Sequence, residues 1–289
     1  MAQSTGDIKR RIRSIKSTQK ITKAMEMVSG AKLRRAQEKM MASRPYAGKL
    51  KEVLGRLVQG TGDFSHPLLT VPEEGKIGCV VFTADRGQAG GYNVNIQRLA
   101  QHYVDGMEEE QYELIVLGKK GRDYFRFRKY PIMQEYLNIG DVPTFIQAQE
   151  LARQLMEWYA DGTLNEVYLF YTKFGSAMHQ IPTKIKLLPL ETAGEKDEIS
   201  EETEYIFEPS PEGVLGTLLP NYVEIQVYQA LLESKASEHG ARRTAMSSAT
   251  DNAQEMIDKL TLSFNRARQA AITTEITEIV GGAEALENS

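Results

Sequence analysis

The feature that most limits how this chain can fold is the scarcity of helix breakers at both of its ends. From Asp7 to Gln59 the only such residues are Gly30, Pro45, Gly48 and Gly55. Apolar or small residues recur at Ile8, Ile12 and Ile15, then at Ile21, Met25 and Val28. They continue at Leu33, Ala36, Met40, Ser43, Ala47, Leu50, Leu54 and Leu57. The last group alternates steps of three and four, which is the spacing of a coiled-coil seam. The jumps from Ile15 to Ile21 and from Val28 to Leu33 break that register and predict an irregular supercoil. Between Asn221 and Val280 there is no proline and a single glycine, Gly240. Met246, Ala249, Ala253, Met256 and Leu260 repeat the pattern, followed by Phe264, Ala267 and Ala271, and then by Ile272, Ile276 and Ile279. At ~1.5 Å per residue the two segments reach roughly 80 and 90 Å.

Narrow apolar stripes do not hold long helices stable alone. The economical solution pairs the two ends antiparallel, with the middle of the chain as a folded connection. Charge agrees with this. The chain carries a net −4, but its first 60 residues hold fifteen Lys and Arg against Asp7, Glu26, Glu38 and Glu52. Residues 212–289 hold six basic against eleven acidic side chains. Each exposed ion pair contributes only ~0–1 kcal/mol, so the apolar seam carries the pairing. A basic segment also suits nucleic acid, anionic lipid or an acidic partner, and the bland alternative is a solvated helix face. Residues 1–45 contain no Phe, Tyr or Trp, which weakens single-strand nucleic-acid binding by stacking. No apolar run approaches the ~20 residues of a membrane span. No apolar stretch follows the basic N-terminus, so no secretory signal is expected. A lone cysteine, Cys79, makes no internal disulfide and suits a reducing compartment.

The middle of the chain alternates strand and helix signals. Lys76–Phe82, Tyr112–Leu117 and Glu166–Tyr171 read as core strands, and residues near Met178–Leu188 as an edge strand. Helices are predicted from about Asn93 to Asp105, near Lys119–Phe127, and over Thr144–Tyr159. This order implies a partly parallel, helix-covered sheet. The predicted organisation is a coiled-coil helix over 1–60, a linker over 61–75, an α/β domain of Rossmann-like type over 76–190, an acidic loop over 191–211 and a coiled-coil helix over 212–289. The fold class is therefore α/β plus a long antiparallel coiled coil.

The glycine-rich turn Thr83-Ala-Asp-Arg-Gly-Gln-Ala-Gly-Gly-Tyr-Asn93 stands between strand and helix, where backbone N–H groups can hold a phosphate. Yet the G-x-G-x-x-G fingerprint is absent, and so is any Walker sequence. The second strand runs into Gly118-Lys-Lys-Gly121 rather than into a ribose-binding acid. His66, His102, His179 and His239 lack metal-ligand spacing. Cys79 sits within a strand, as a buried structural thiol does. No catalytic, cofactor-binding or metal-binding residue is therefore expected. At this level three readings stand: a shaft-like interaction protein, a nucleotide-binding α/β enzyme with a coiled-coil extension, and a basic-helix binder of nucleic acid or membrane.

Specific blocks narrow the choice. Ile272-Thr-Thr-Glu-Ile-Thr-Glu-Ile-Val-Gly-Gly-Ala-Glu-Ala285 resembles the C-terminal signature of the γ subunits of F-type ATP synthases, of bacterial type. Thr18-Gln-Lys-Ile-Thr-Lys-Ala-Met-Glu-Met-Val28 with Ala31-Lys-Leu33 is similar to that family's first helix. Asp85-Arg-Gly, Gly90-Gly-Tyr-Asn93, Ala249-Thr-Asp-Asn252 and Arg266-Ala-Arg-Gln269 also match, in order and across nearly the whole chain. One departure is Gln88-Ala89, where family members commonly carry Leu-Cys.

The resemblance implies a non-catalytic rotor shaft without a cofactor. Its paired helices would run along the axis of a hexamer of three α and three β subunits, with the middle domain near the ε subunit and the c-ring. Ion-driven rotation of the ring would turn the shaft and cycle the catalytic β subunits for ATP synthesis or hydrolysis. The chain would lie peripherally at the cytoplasmic face of a bacterial cell membrane, with no role for nucleic acid. Residue by residue, Lys23 with Met25 matches a position near an acidic β segment, and Arg268 and Gln269 match positions that hydrogen-bond β loops. Arg242 and Glu278 match positions tied to coupling. Ile276, Ile279 and Val280 would form an apolar tip turning in an apolar sleeve.

Overall fold

The computed structural model describes residues 5–60, 66–190 and 211–287. The acidic loop expected over 191–211, apart from Pro211, and residues 61–65 of the expected linker therefore lie outside the described residues. Two compact units divide the chain: Met1–Val28 with Arg243–Ser289, and Ser29–Arg242. Two helices contribute to both, α1 over Thr5–Gly60 and α5 over Pro211–Glu287. Helix α1 continues through Pro45.

Within the first unit α1 and α5 run antiparallel. Gln19 bonds Gln254 at 2.8 Å, and the Thr22 and Thr250 hydroxyls lie 2.8 Å apart. Burial falls on Ile8, Thr22, Met246, Ala253 and Ile257. Ile21, Val28 and Met256, read from sequence as seam residues, are instead exposed by 54–58 %. Their neighbours Thr22, Ser29 and Ile257 are buried in their place. The expected break in register thus disappears: Ile8, Ile12, Ile15, Gln19, Thr22, Glu26, Ser29 and Leu33 hold one continuous three-four alternation, none of them exposed. Hydrogen-bonded polar side chains fill positions where an apolar pattern alone sees gaps. Ile272, Ile276, Ile279 and Val280, expected to extend the seam or form the tip, are 48–65 % exposed.

The second unit is layered around one sheet. Its elements are β1 (Lys76–Phe82), α2 (Tyr92–Val104), β2 (Tyr112–Leu117), α3 (Lys119–Phe127), β3 (Ile132–Tyr136), α4 (Phe145–Ala160), β4 (Leu164–Phe174) and β5 (Gln180–Leu188). The strand order is β3-β2-β1-β4-β5. Strands β1 to β4 are parallel and β5 is antiparallel to β4. The central strands are apolar runs buried on both faces, as parallel strands under helices require. Cys79, Val81, Leu114, Val116 and Phe170 meet Ile96, Ala100 and Val104 of α2 and Phe125 of α3. Val80, Phe82, Ile115, Leu117 and Leu169 face the other way, onto Leu151 and Leu155 of α4 and onto both long helices. Strand β3 was not anticipated. It is a five-residue edge strand, half-buried and preceded by Pro131, so it shows neither a long apolar run nor strict alternation.

Capping fixes α4. The Thr144 hydroxyl accepts from the Gln147 backbone N–H, while the Gln147 side chain accepts from the Thr144 N–H at 3.0 Å, a reciprocal capping box. In this unit too the long helices are antiparallel: Leu33, Ala36 and Met40 pack with Leu232 and Ala236, and the Gln229 amide donates to Ser43 at 2.9 Å.

Candidate functional site

Most of a helix in a two-layer domain shows one buried face. Residues 230–242 of α5 are different, because every one except the half-buried Glu233 is buried. This stretch carries Ser234, Lys235, Ser237, Glu238, His239 and Arg242, a polar load that needs internal partners.

The partners come from loops of the α/β domain. The Ser237 hydroxyl donates to the Thr172 carbonyl of β4 at 3.0 Å. Gly240 lies against Phe174 and Ala177, where an added Cβ would touch both. Ala241 packs with Ala84, Ala89 and Tyr92 of the β1–α2 turn. The Arg242 guanidinium donates to the carbonyls of Gly87 and Arg86, all at 3.3 Å. From the loop before α4, the Asp141 carbonyl meets the His239 Nε2 at 3.1 Å, and the Asp141 carboxylate pairs with Lys32 of α1 at 2.7 Å. Glu238 lies at the centre, 2.9 Å from both Lys235 and Arg242. These loops together form a collar around α5.

The electrostatics follow from that arrangement. Burial alone would raise the Glu238 carboxyl, but Lys235 and Arg242 hold it below the usual range. Burial lowers His239, outweighing the nearby Glu238 carboxylate. Burial raises the Asp141 carboxyl, yet Lys32 brings it down on balance. Burial pushes the Cys79 thiol up to about 12, which leaves it unreactive.

The glycine-rich turn is spent on structure. Asp85 accepts the backbone N–H of Lys119 and of Asn138. Asn93 accepts that of Ala84 at 2.9 Å. Thr83 accepts the Gly121 N–H at 2.8 Å and donates to the Leu117 carbonyl at 2.7 Å. These bonds tie the turn to the end of β2 and the start of α3, and at the start of α2 the Tyr92 N–H is already bonded to the Ala89 carbonyl at 3.1 Å. In sheets wound this way, ligands bind outside the carboxyl ends of the strands where the order reverses. Here that place lies between β1 and β4, and α5 fills it. Among the described residues no three His, Cys, Asp or Glu side chains gather as metal ligands would.

The residues singled out from sequence do not converge. Arg242 is buried in the collar. Lys23 is exposed and pairs with Glu26 at 3.1 Å, lining a shallow groove with Gln19, Lys20, Ala24, Met27 and Thr250. Met25 is half-buried, and Arg268, Gln269 and Glu278 are exposed along α5. Sequence reasoning missed Lys235, Glu238 and Asp141. The spacing of Lys235, Glu238 and Arg242, three and four apart on one helix face, was the available signal.

Fold and collar define a class first: a long helical pair packed on an α/β domain, with one stretch of its second helix filling the crevice at the strand ends. The profile of the ATP synthase family matches residues 4–286. The ATP synthase gamma chain of Moorella thermoacetica is 57% identical over 281 residues, covering 97% of this chain and 98% of the relative. That of Heliobacterium modesticaldum is 56% identical over 286 residues, with the same coverage. Two solved structures share the fold. One is the rotor of Euglena gracilis mitochondrial ATP synthase, with TM-score 0.64, 18% identity, and 93% of this chain and 98% of that chain covered. The other is the central stalk and c-ring of the Tetrahymena thermophila enzyme, with TM-score 0.60, 24% identity, and 79% and 99% covered. The chain belongs to the ATP synthase family, as one of its gamma chains, which are non-catalytic subunits of an ATP-forming complex.

Proposed function

We propose that this chain is the central shaft of a rotary ATP synthase, seated in a hexamer of three α and three β subunits and carried with the ε subunit on a c-ring. The observation that carries this reading is the far part of α5. Its side chains at Ile272, Ile276, Ile279 and Val280 are all about half exposed or more, although large apolar residues along one segment of a helix usually meet a partner. An apolar sleeve suits a turning tip, because directional bonds would hold it at one angle.

Coupling requires that the shaft favour a different state of each catalytic subunit at each angle, a differential stabilisation. The exposed basic residues of α1, Lys23 among them, face acidic β loops in this reading, with Met25 beside them. Arg268 and Gln269 hydrogen-bond β loops, and Glu278 and Arg242 contribute to coupling, Arg242 from within the collar. Each screened contact contributes little, so torque is distributed over many. No helix of the described residues is long and apolar enough to cross a membrane. Association with the cytoplasmic face of the membrane is then through partners. Co-purification from membranes tests the reading: one copy of this chain per three catalytic subunits supports it, and recovery free of them overturns it.

A further inference from the structure

The collar poses a physical question. The α/β domain is joined to the long helices covalently only through the chain segments on either side of it. If rotation enters through the domain, it reaches α5 mainly across packed surfaces. Apolar packing resists separation but tolerates sliding, whereas buried charged hydrogen bonds fix an angle and a register. A buried ion triad is a poor choice for stability alone, because apolar residues of similar volume often do as well or better. Lys235, Glu238 and Arg242 are each under 10 % exposed, and they stand where α5 fills the crevice between β1 and β4.

We propose that this triad is a locked joint that keeps the α/β domain and α5 fixed to each other throughout the rotary cycle, with Glu238 as its positioning residue. The Glu238 carboxylate holds the Arg242 guanidinium against the Gly87 and Arg86 carbonyls with one oxygen, and Lys235 holds its other oxygen. His239 and Ser237 pin the same helix turn to the Asp141 loop and to β4. The joint needs no ligand and does not open. This inference rests on the shaft reading above.

The test uses the whole complex, rebuilt with this chain in inside-out membrane vesicles, with ATP hydrolysis and ATP-driven proton pumping measured together. Glu238→Gln removes the charge and keeps the shape. Hydrolysis is expected to persist while protons pumped per ATP fall about fivefold or more, the size of an ordinary coupling energy. A second measurement bridges Ala89→Cys to Ala241→Cys, which share one packed cluster, by oxidation to a disulfide, a link short enough for packed neighbours. Cys79 lies in a separate core cluster and does not compete. The bridge is expected to restore pumping in the Glu238→Gln chain, which a general folding defect would not allow. Equal pumping by Glu238→Gln and the unsubstituted chain overturns the joint, as does failure of the bridge to restore it. Should the Glu238→Gln chain not assemble, the bridge alone decides: a closed joint tolerates it, and one that opens each turn is jammed by it. Absence of pumping with the unsubstituted chain would instead count against the shaft reading itself.

Discussion

The hydroxyls of Thr22 and Thr250 lie 2.8 Å apart inside the α1–α5 seam, each also within reach of a backbone carbonyl of its own helix. A polar pair here sets register at some cost in stability. Thr22→Val or Thr250→Val alone removes the cross-helix bond and is expected to cost about 0.5–1.5 kcal/mol. The double valine variant is expected to recover most of that loss through apolar contact. A double-mutant cycle in thermal unfolding checks this, and strictly additive losses would show that the two hydroxyls do not interact.

Gly118 adopts φ +91°, and an added Cβ would stand 2.3 Å from the Thr83 carbonyl oxygen. Gly118→Ala is therefore expected to destabilise by on the order of 3 kcal/mol or more, from strain and overpacking together. Gly87, where the nearest atom is the Lys120 Cε at 3.7 Å, is expected to accept alanine with little loss. Paired thermal melts distinguish the two.

Acid should loosen the collar. His239 is lowered in the folded state, so the unfolded chain binds its proton first, and stability falls as pH drops below about 6.5. Glu238 is also lowered; its contribution is complete above about 4.5 and is lost as pH falls through the folded value. Thermal midpoints are expected to decline in these two windows. His239→Gln should flatten the first and leave the second, and an unchanged profile would show that His239 does not titrate on unfolding.

Cys79 is fully buried and its thiol is raised to about 12. Maleimide labelling of the native chain at neutral pH is expected to be at least tenfold slower than labelling in denaturant, since only the thiolate reacts. Mass spectrometry of timed samples measures both rates.

Much of the fold was legible because local pattern and tertiary environment agree. Lys76–Phe82 and Tyr112–Leu117 are apolar runs, and they are strands covered on both faces. Thr144 signals a helix start, and its capping box forms. The reading failed where environment overrode pattern. Ile132–Tyr136 pairs only along β2, so its strand character comes from a neighbour rather than from its own alternation. Apolar Ile21 and Val28 drew the seam away from Thr22 and Ser29, because polar residues enter a seam only when a partner helix bonds or shelters them. The collar was hidden for a related reason. Glu238 and Arg242 look like an exposed helical ion pair, and what buries them is a turn some 155 residues distant.

Direct observation of rotation tests the central claim most plainly. A cysteine placed at Phe127, which is 84 % exposed on α3, would carry a bead or gold probe on the α/β domain of this chain within an immobilised complex. During ATP hydrolysis the probe is expected to turn steadily in one direction, and to stop when ATP is removed. A probe that stays fixed while the complex hydrolyses ATP would contradict the account.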